Sequence, residues 1–277
     1  MKFEDKYIKI GNVNTRFWEY GEGEPLILIH GLGTSIEVFE PNIPELAKTC
    51  KVYAPDLVGF GYSDKPKANY TMAFLTDFLH DFLVQMNINK ASLLGVSMGG
   101  GIALKYAIDY PDRMDKLILE DSAGLGRELA LPLRLTSIPL LSKLSFLKYR
   151  RAIAVYMRTL VHDPKAMTDE MIDFYYKIFS LPGAIEAFSS VLINSCSLRG
   201  INEDIIKGIT DKLSLIKCPT LIIWGKQDRS LPVKDALLAN KEIPGSKLHL
   251  FDNCGHFANL EKTPEFNKIV SKFLSEN

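Results

Sequence analysis

Short apolar runs recur along the chain, and each ends in a cluster of glycine and polar residues. They are centred on residues 26–29, 52–54, 92–94, 117–119, 221–224 and 248–251. Consecutive apolar positions of this length are typical of strands that are buried on both faces of a parallel sheet. Residues 6–20 instead alternate apolar and polar positions around Gly11-Asn12, which predicts an antiparallel hairpin.

Helical periodicity fills the segments between these strands. In residues 72–86 apolar side chains recur every three or four positions, and Thr71 is the predicted N-cap. Residues 99–109 predict a helix that stops before Pro111, and Thr263 is the predicted N-cap of the last helix, with Pro264 at its first position. Alternating strands and helices predict an α/β fold with a mainly parallel, doubly wound sheet, whose functional side chains gather where the strands end.

The alternation stops between residues 124 and 210. This stretch is rich in helix-forming and large apolar residues and offers no clear central strand. We therefore expect a helical cap at 124–210, inserted into a core domain made of residues 1–123 and 211–277.

Composition narrows the classes of partner. Lys plus Arg equal Asp plus Glu at 33 each, so no strongly charged surface for nucleic acid or anionic lipid is expected. No run approaches the length of a membrane span, and the charged N-terminus lacks the apolar region of a signal peptide. The four cysteines are far apart in sequence, which favours reduced thiols and a cytoplasmic protein.

The serine at position 97 stands in the sequence Gly95-Val96-Ser97-Met98-Gly99, between a predicted strand and a predicted helix. Glycines two positions away on either side allow a sharp turn that exposes the hydroxyl. A serine hydroxyl becomes a nucleophile only beside a base, and that base needs an orienting acid. Asp228 and His256 each follow a later strand, so both are expected at the same edge of the sheet.

With this Ser, Asp, His order, the chain resembles the α/β-hydrolase superfamily outside the cap. His30-Gly31-Leu32-Gly33 is similar to its oxyanion loop, and residues 56–63 are similar to its Asp-x-x-Gly-x-Gly-x-Ser segment. The resemblance implies an α/β-hydrolase fold with a Ser97, Asp228 and His256 triad. It also implies an oxyanion hole formed by the backbone N–H groups of Leu32 and Met98.

Other roles for these residues remain open from the sequence alone. Asp121, after another strand, is a rival for the orienting acid, and Asp228 could instead be a helix N-cap. His30 is expected to fix the oxyanion loop, and Asp56 to order its own loop through backbone hydrogen bonds. The sequence has no phosphate-binding glycine motif and no cluster with metal-ligand spacing, so neither a cofactor nor a metal is expected.

A serine nucleophile separates the chain from relatives that use aspartate, such as epoxide hydrolases and haloalkane dehalogenases. An apolar cap favours hydrolysis of small to medium hydrophobic carboxylic esters, by a monomer or a homodimer. The motifs around Ser97, Asp228 and His256 also resemble those of carbon–carbon bond hydrolases acting on ring-fission products of aromatic degradation. Those enzymes usually carry Asn where this chain has Val96. In that alternative, cap arginines could contact the substrate; the candidates are Arg150, Arg151, Arg158 and Arg199. A slow-turnover ligand receptor is a second alternative.

Overall fold

A central sheet organises the computed structural model, which describes residues 3–139 and 146–276. Its strands lie in the order β1-β2-β4-β3-β5-β6-β9-β10. They are β1 (Lys6–Ile10), β2 (Val13–Tyr20), β3 (Glu24–Ile29), β4 (Cys50–Pro55), β5 (Ala91–Val96), β6 (Met114–Glu120), β9 (Thr220–Gly225) and β10 (Lys247–Phe251). A separate two-residue pair, β7 (Cys196–Ser197) and β8 (Gly200–Ile201), lies between β6 and β9 in sequence.

The pairing of the strands confirms the predicted sheet. β1 and β2 form the antiparallel hairpin, β2 pairs antiparallel with β4, and every other neighbouring pair in the large sheet is parallel. All six residues of β5 and all six of β9 are buried, as their unbroken apolar character predicts. The carboxyl ends of β5, β6, β9 and β10 therefore meet along one edge of the sheet.

Helices cover the sheet and fill the insertion. They are α1 (Ile43–Leu46), α2 (Met72–Gln85), α3 (Met98–Asp109), α4 (Leu131–Thr136), α5 (Arg150–Leu160), α6 (Asp169–Phe179), α7 (Ala184–Ser195), α8 (Glu203–Thr210), α9 (Lys234–Glu242), α10 (Ala258–Glu261) and α11 (Thr263–Ser275).

One helix cap is confirmed and another is wrong. The hydroxyl of Thr71 accepts a hydrogen bond from the N–H of Phe74 at 3.1 Å, as an N-cap should. Thr263 is not the N-cap of α11. Its hydroxyl donates backwards, to the carbonyl of Asn259 at 2.7 Å, because α10 ends just two residues earlier and offers free carbonyls there.

Helices α4 to α8 and the β7-β8 pair occupy the stretch predicted to be a cap. They pack on the loops at the carboxyl edge of the sheet. A Cβ on Gly33 would come within 3.1 Å of the rings of Phe179 and Phe188, so only glycine leaves room for this contact. The boundaries 124 and 210 stay a prediction, and residues 140–145 of the predicted cap lie outside the described residues.

The cysteines and the helices were expected to form neither disulfides nor membrane spans. All four cysteines are free thiols. Within the described ranges, no single helix has the length and apolar character to cross a bilayer. Helices α6 and α7 meet that requirement only when taken together, and the chain bends by 86° between them.

Candidate active site

A sharp turn joins β5 to α3 and carries Ser97 at its tip. Ser97 has a φ of +55° and a ψ of −119°, which residues with a side chain rarely adopt. A Cβ on Gly95 would lie 2.2 Å from the carbonyl oxygen of Gly99, and a Cβ on Gly99 would lie 2.1 Å from that of Ile29. Close packing therefore requires both glycines of the motif, and the surrounding backbone holds Ser97 in its strained conformation.

His256 and Asp228 meet at the ends of β10 and β9. The Nδ1 of His256 lies 2.7 Å from Oδ2 of Asp228, and both side chains are buried. Oδ1 of Asp228 accepts from the N–H groups of Ser230 at 2.7 Å and Leu231 at 3.2 Å. These bonds order the loop before α9, so Asp228 is not the N-cap of that helix. The carboxylate fixes the imidazole and leaves its Nε2 for chemistry.

Asp121 lies next to the hydrogen-bonded pair of Asp228 and His256. It is fully buried at a φ of +42°, and its Oδ1 accepts from the N–H of Gly225 at 3.1 Å. Burial, and then the nearby charge of Asp228, hold the pKa of Asp121 well above its usual range. The imidazole therefore bonds Asp228, and Asp121, whose raised pKa disfavours its charged form, lies beside that carboxylate.

Asp121, Asp228 and His256 also have ligand atoms within 4.8 Å of one another, the spacing a metal ion would need. The Nδ1 of His256 is already taken by its hydrogen bond to Asp228. Burial raises the pKa of Asp121, which disfavours the ionised form that a metal ligand needs. These three residues therefore suit a hydrogen-bonded Asp228–His256 pair, with Asp121 beside it, better than a metal site.

Leu32 and Met98, the residues predicted to form the oxyanion hole, line one cavity. Within residues 3–139 and 146–276, neither the N–H of Leu32 nor that of Met98 donates a hydrogen bond inside the protein. Both residues line the cavity that also contains Ser97 and His256. A Cβ on Gly31 would lie 3.1 Å from Cβ of Ser97, so the loop carrying Leu32 passes directly beside the serine.

His30 holds this loop through hydrogen bonds of both its ring nitrogens. It is fully buried, its Nε2 accepts from the N–H of Leu57 at 3.0 Å, and its Nδ1 donates to the carbonyl of Gly31 at 2.9 Å. Burial lowers its pKa to about 4. Because both nitrogens are bonded, His30 holds the loop, in agreement with the structural role expected from the sequence.

Asp56 orders its loop as expected, but with a partner that the sequence analysis missed. It accepts backbone hydrogen bonds from Ile36 at 3.0 Å and Tyr62 at 2.8 Å. It also forms a buried ion pair at 3.1 Å with Arg16, which bonds Glu37 at 2.6 Å as well. No short-range pattern in the sequence indicates this partner, because Arg16 and Asp56 are forty positions apart.

The cavity above Ser97 has a volume of about 70 Å³ and lies between the sheet edge and the insertion. Its polar members are Ser97, His256, Ser195, Ser230 and Tyr156. Most of the remaining wall is apolar and includes Leu32, Met72, Leu75, Met98, Leu129, Leu133, Leu160, Val191, Leu192, Ile201, Ile205, Leu231 and Phe257. Such a wall favours a small ligand that carries no charge in its buried part.

The four arginines of the predicted cap lie elsewhere. Arg150 pairs with Asp173 and Asp169, and Arg158 pairs with Asp169 at 3.1 Å, on the outer surface of α5 and α6. Arg151 and Arg199 are exposed, and none of the four lines the cavity. The structure therefore does not bring the predicted arginines to the site.

A family model described as "alpha/beta hydrolase fold" matches residues 24–263. The chain is 30% identical over 279 residues to a 2-hydroxymuconate semialdehyde hydrolase of Pseudomonas sp. strain CF600, covering 95% of this chain and 91% of that protein. It is 29% identical over 279 residues to a 2-hydroxy-6-oxo-2,4-heptadienoate hydrolase of Pseudomonas putida, covering 98% and 96%.

Among solved structures, the chain is similar to the meta-cleavage product hydrolase CumD of Pseudomonas fluorescens IP01. The TM-score is 0.83 at 29% identity, and the match covers 97% of each chain. The names of these relatives agree with the carbon–carbon alternative more closely than with the ester hydrolysis expected first from the sequence.

Proposed function

Because the chain belongs to the α/β-hydrolase fold family, we propose that it is a serine hydrolase of small, uncharged carboxylic esters with apolar acyl groups. The observation that carries the proposal is the wall of the cavity. Its aliphatic side chains and hydroxyls would desolvate an apolar acyl chain at little cost, but they offer a buried carboxylate no compensating charge.

In the proposed mechanism, the Oγ of Ser97 attacks the ester carbonyl carbon while Nε2 of His256 takes the hydroxyl proton. Asp228, bonded to Nδ1, orients the ring and stabilises the imidazolium that forms. The resulting oxyanion receives hydrogen bonds from the N–H groups of Leu32 and Met98, which have no other acceptor among the described residues.

Collapse of this intermediate breaks the bond to the alcohol, which leaves with the proton from His256. A water molecule then adds to the acyl-enzyme while His256 takes its proton, and the second collapse releases the acid and returns the proton to Ser97. Each transfer uses the same imidazole, whose position therefore controls both halves of the reaction.

Carbon–carbon bond hydrolysis is the second candidate, because the similar proteins carry names of that class. A ring-fission product is a dienoate, so its carboxylate needs a cationic or multiply donating partner. Val96 replaces the Asn usual before the nucleophile, and the cap arginines form ion pairs or lie in solvent. We rank this candidate second for that reason.

The deciding experiment measures turnover of p-nitrophenyl esters from acetate to dodecanoate, beside loss of the 2-hydroxy-6-oxo-2,4-heptadienoate chromophore. We expect turnover that is highest for short acyl chains and absent in Ser97→Ala, because the cavity is small. Faster multiple turnover of the dienoate than of any ester would replace ester hydrolysis by carbon–carbon hydrolysis. Labelling of Ser97 by an organophosphate without turnover of either substrate would overturn both.

A further inference from the structure

One carboxylate joins the catalytic loop to the cap. Glu261, the last residue of α10, accepts a hydrogen bond on Oε1 from the N–H of Gly255 at 2.7 Å. Its Oε2 accepts from the N–H groups of His162 at 2.7 Å and Asp163 at 3.1 Å, directly after cap helix α5. The two oxygens of one side chain thus hold two segments that are nearly a hundred residues apart in sequence.

The same two segments also touch without Glu261. The N–H of His256 donates to the carbonyl of Leu160 at 2.7 Å, at the end of α5. A Cβ on Gly255 would lie 2.5 Å from that same oxygen and 2.7 Å from the nitrogen of His162, so only glycine allows this approach. Leu160 in turn lines the cavity above Ser97.

We propose that Glu261 is a positioning residue that ties the backbone of the catalytic histidine loop to the cavity wall formed by the end of α5. The tie fixes the His256 imidazole, through the backbone of Gly255, at its position in the cavity that also contains Ser97. It also keeps this edge of the cap closed on the core. The catalytic part of this inference rests on the proposed serine hydrolase mechanism, whereas the tie itself does not.

Charge and geometry both favour a glutamate here. A carboxylate accepts on two oxygens, and hydrogen bonds to a charged acceptor are stronger than neutral ones. Glutamine would present only one accepting oxygen, so it could serve the Gly255 side or the cap side but not both. Loss of the bond leaves the buried N–H of Gly255 without its acceptor, which loosens the loop rather than the whole fold.

The first test follows hydrogen exchange in the intact protein and in Glu261→Gln and Glu261→Ala. We expect the amides of residues 162–163 and of 255 to lose about tenfold or more of their protection in Glu261→Ala, with a smaller loss in Glu261→Gln. Thr168→Ala is the matched control, because it removes the N-cap of cap helix α6 and leaves the tie intact. Unchanged protection at residue 255 in Glu261→Ala would overturn the inference.

The second test measures ester turnover per active site, counted by organophosphate titration of Ser97. We expect kcat to fall about tenfold in Glu261→Ala with KM changed less than about threefold, because binding is retained while the imidazole is misplaced. Thr168→Ala should keep the wild-type kcat per site. A loss of kcat equal in both variants would mean general cap destabilisation and refute a positioning role. Wild-type protein without ester turnover would refute the proposed function, while hydrogen exchange would still decide whether the tie exists.

Discussion

Glu120, at the end of β6, should make the free energy of unfolding depend on pH. The size of this dependence follows from the burial of the side chain. The side chain is fully buried, and its Oε1 accepts from the N–H of Asn259 at 2.7 Å. Burial raises the pKa of Glu120 from 4.5 to about 8, which the hydrogen bonds from α10 only partly oppose. Glu120→Gln removes this titration and keeps the accepting oxygen.

The direction of the pKa shift of Glu120 decides whether the free energy of unfolding rises or falls with pH. A carboxyl whose pKa is higher in the folded state stabilises the fold below the unfolded pKa of 4.5. That stability is lost as the pH rises through 8. At about 1.4 kcal/mol per unit, holding Glu120 neutral costs about 1 kcal/mol at pH ~5 and about 4 kcal/mol at pH ~8. The variant should therefore gain about 3 kcal/mol relative to wild type between these two pH values, whatever constant cost its amide adds.

The assay is urea unfolding of wild type and Glu120→Gln at both pH values, with Glu265→Gln on the exposed face of α11 as control. The difference in unfolding free energy between Glu120→Gln and wild type should rise with pH, and more steeply than that between Glu265→Gln and wild type. A difference for Glu120→Gln that stays flat or falls with pH would refute the assignment of Glu120 as a neutral acid.

Three further outcomes test the site and its supports. Asp228→Asn should lower kcat by about 10⁴-fold, as loss of the orienting acid does in serine proteases. Asp121→Asn should retain most activity, because its amide oxygen can still accept from the N–H of Gly225 and the imidazole bonds Asp228 instead. Steady-state kinetics on the best ester distinguishes the two variants. Gly99→Ala places a Cβ 2.1 Å from the carbonyl of Ile29, so urea unfolding should reveal a loss above about 2 kcal/mol. Arg16→Met leaves buried carboxylates unpaired and should cost about 3–5 kcal/mol of unfolding free energy near pH ~7.

The sheet and the serine turn were predictable because each depends on short-range signals. Consecutive apolar residues locate β3, β5 and β9, and the burial of every residue of β5 explains why its pattern does not alternate. Gly95 and Gly99 are needed for backbone contacts that any side chain would block, so their spacing around Ser97 marks the turn. The cap correction at Thr263 follows from the neighbouring helix α10, which no local pattern indicates.

The supports of the site could not be predicted, because they depend on contacts between distant segments. Glu261 bonds residues 162 and 163, and Arg16 joins Asp56 across forty positions. A charged residue near a turn normally indicates a solvated surface, so sequence alone gives no reason to bury Arg16 or to link Glu261 to the cap. The fold brings these groups together, and their roles become visible only there.

The acidic groups around the histidine loop differ in how many hydrogen bonds they accept from N–H groups. Asp228 accepts three bonds from N–H groups, including that of the imidazole, whereas the side chain of Asp121 accepts one backbone N–H. Burial raises the pKa of Asp121 and of Glu120, which disfavours a negative charge on either of these two carboxyls. In the proposed mechanism, Oδ2 of Asp228 faces Nδ1 of His256 and stabilises the imidazolium of the transition state, while two backbone N–H groups hold Oδ1 in place.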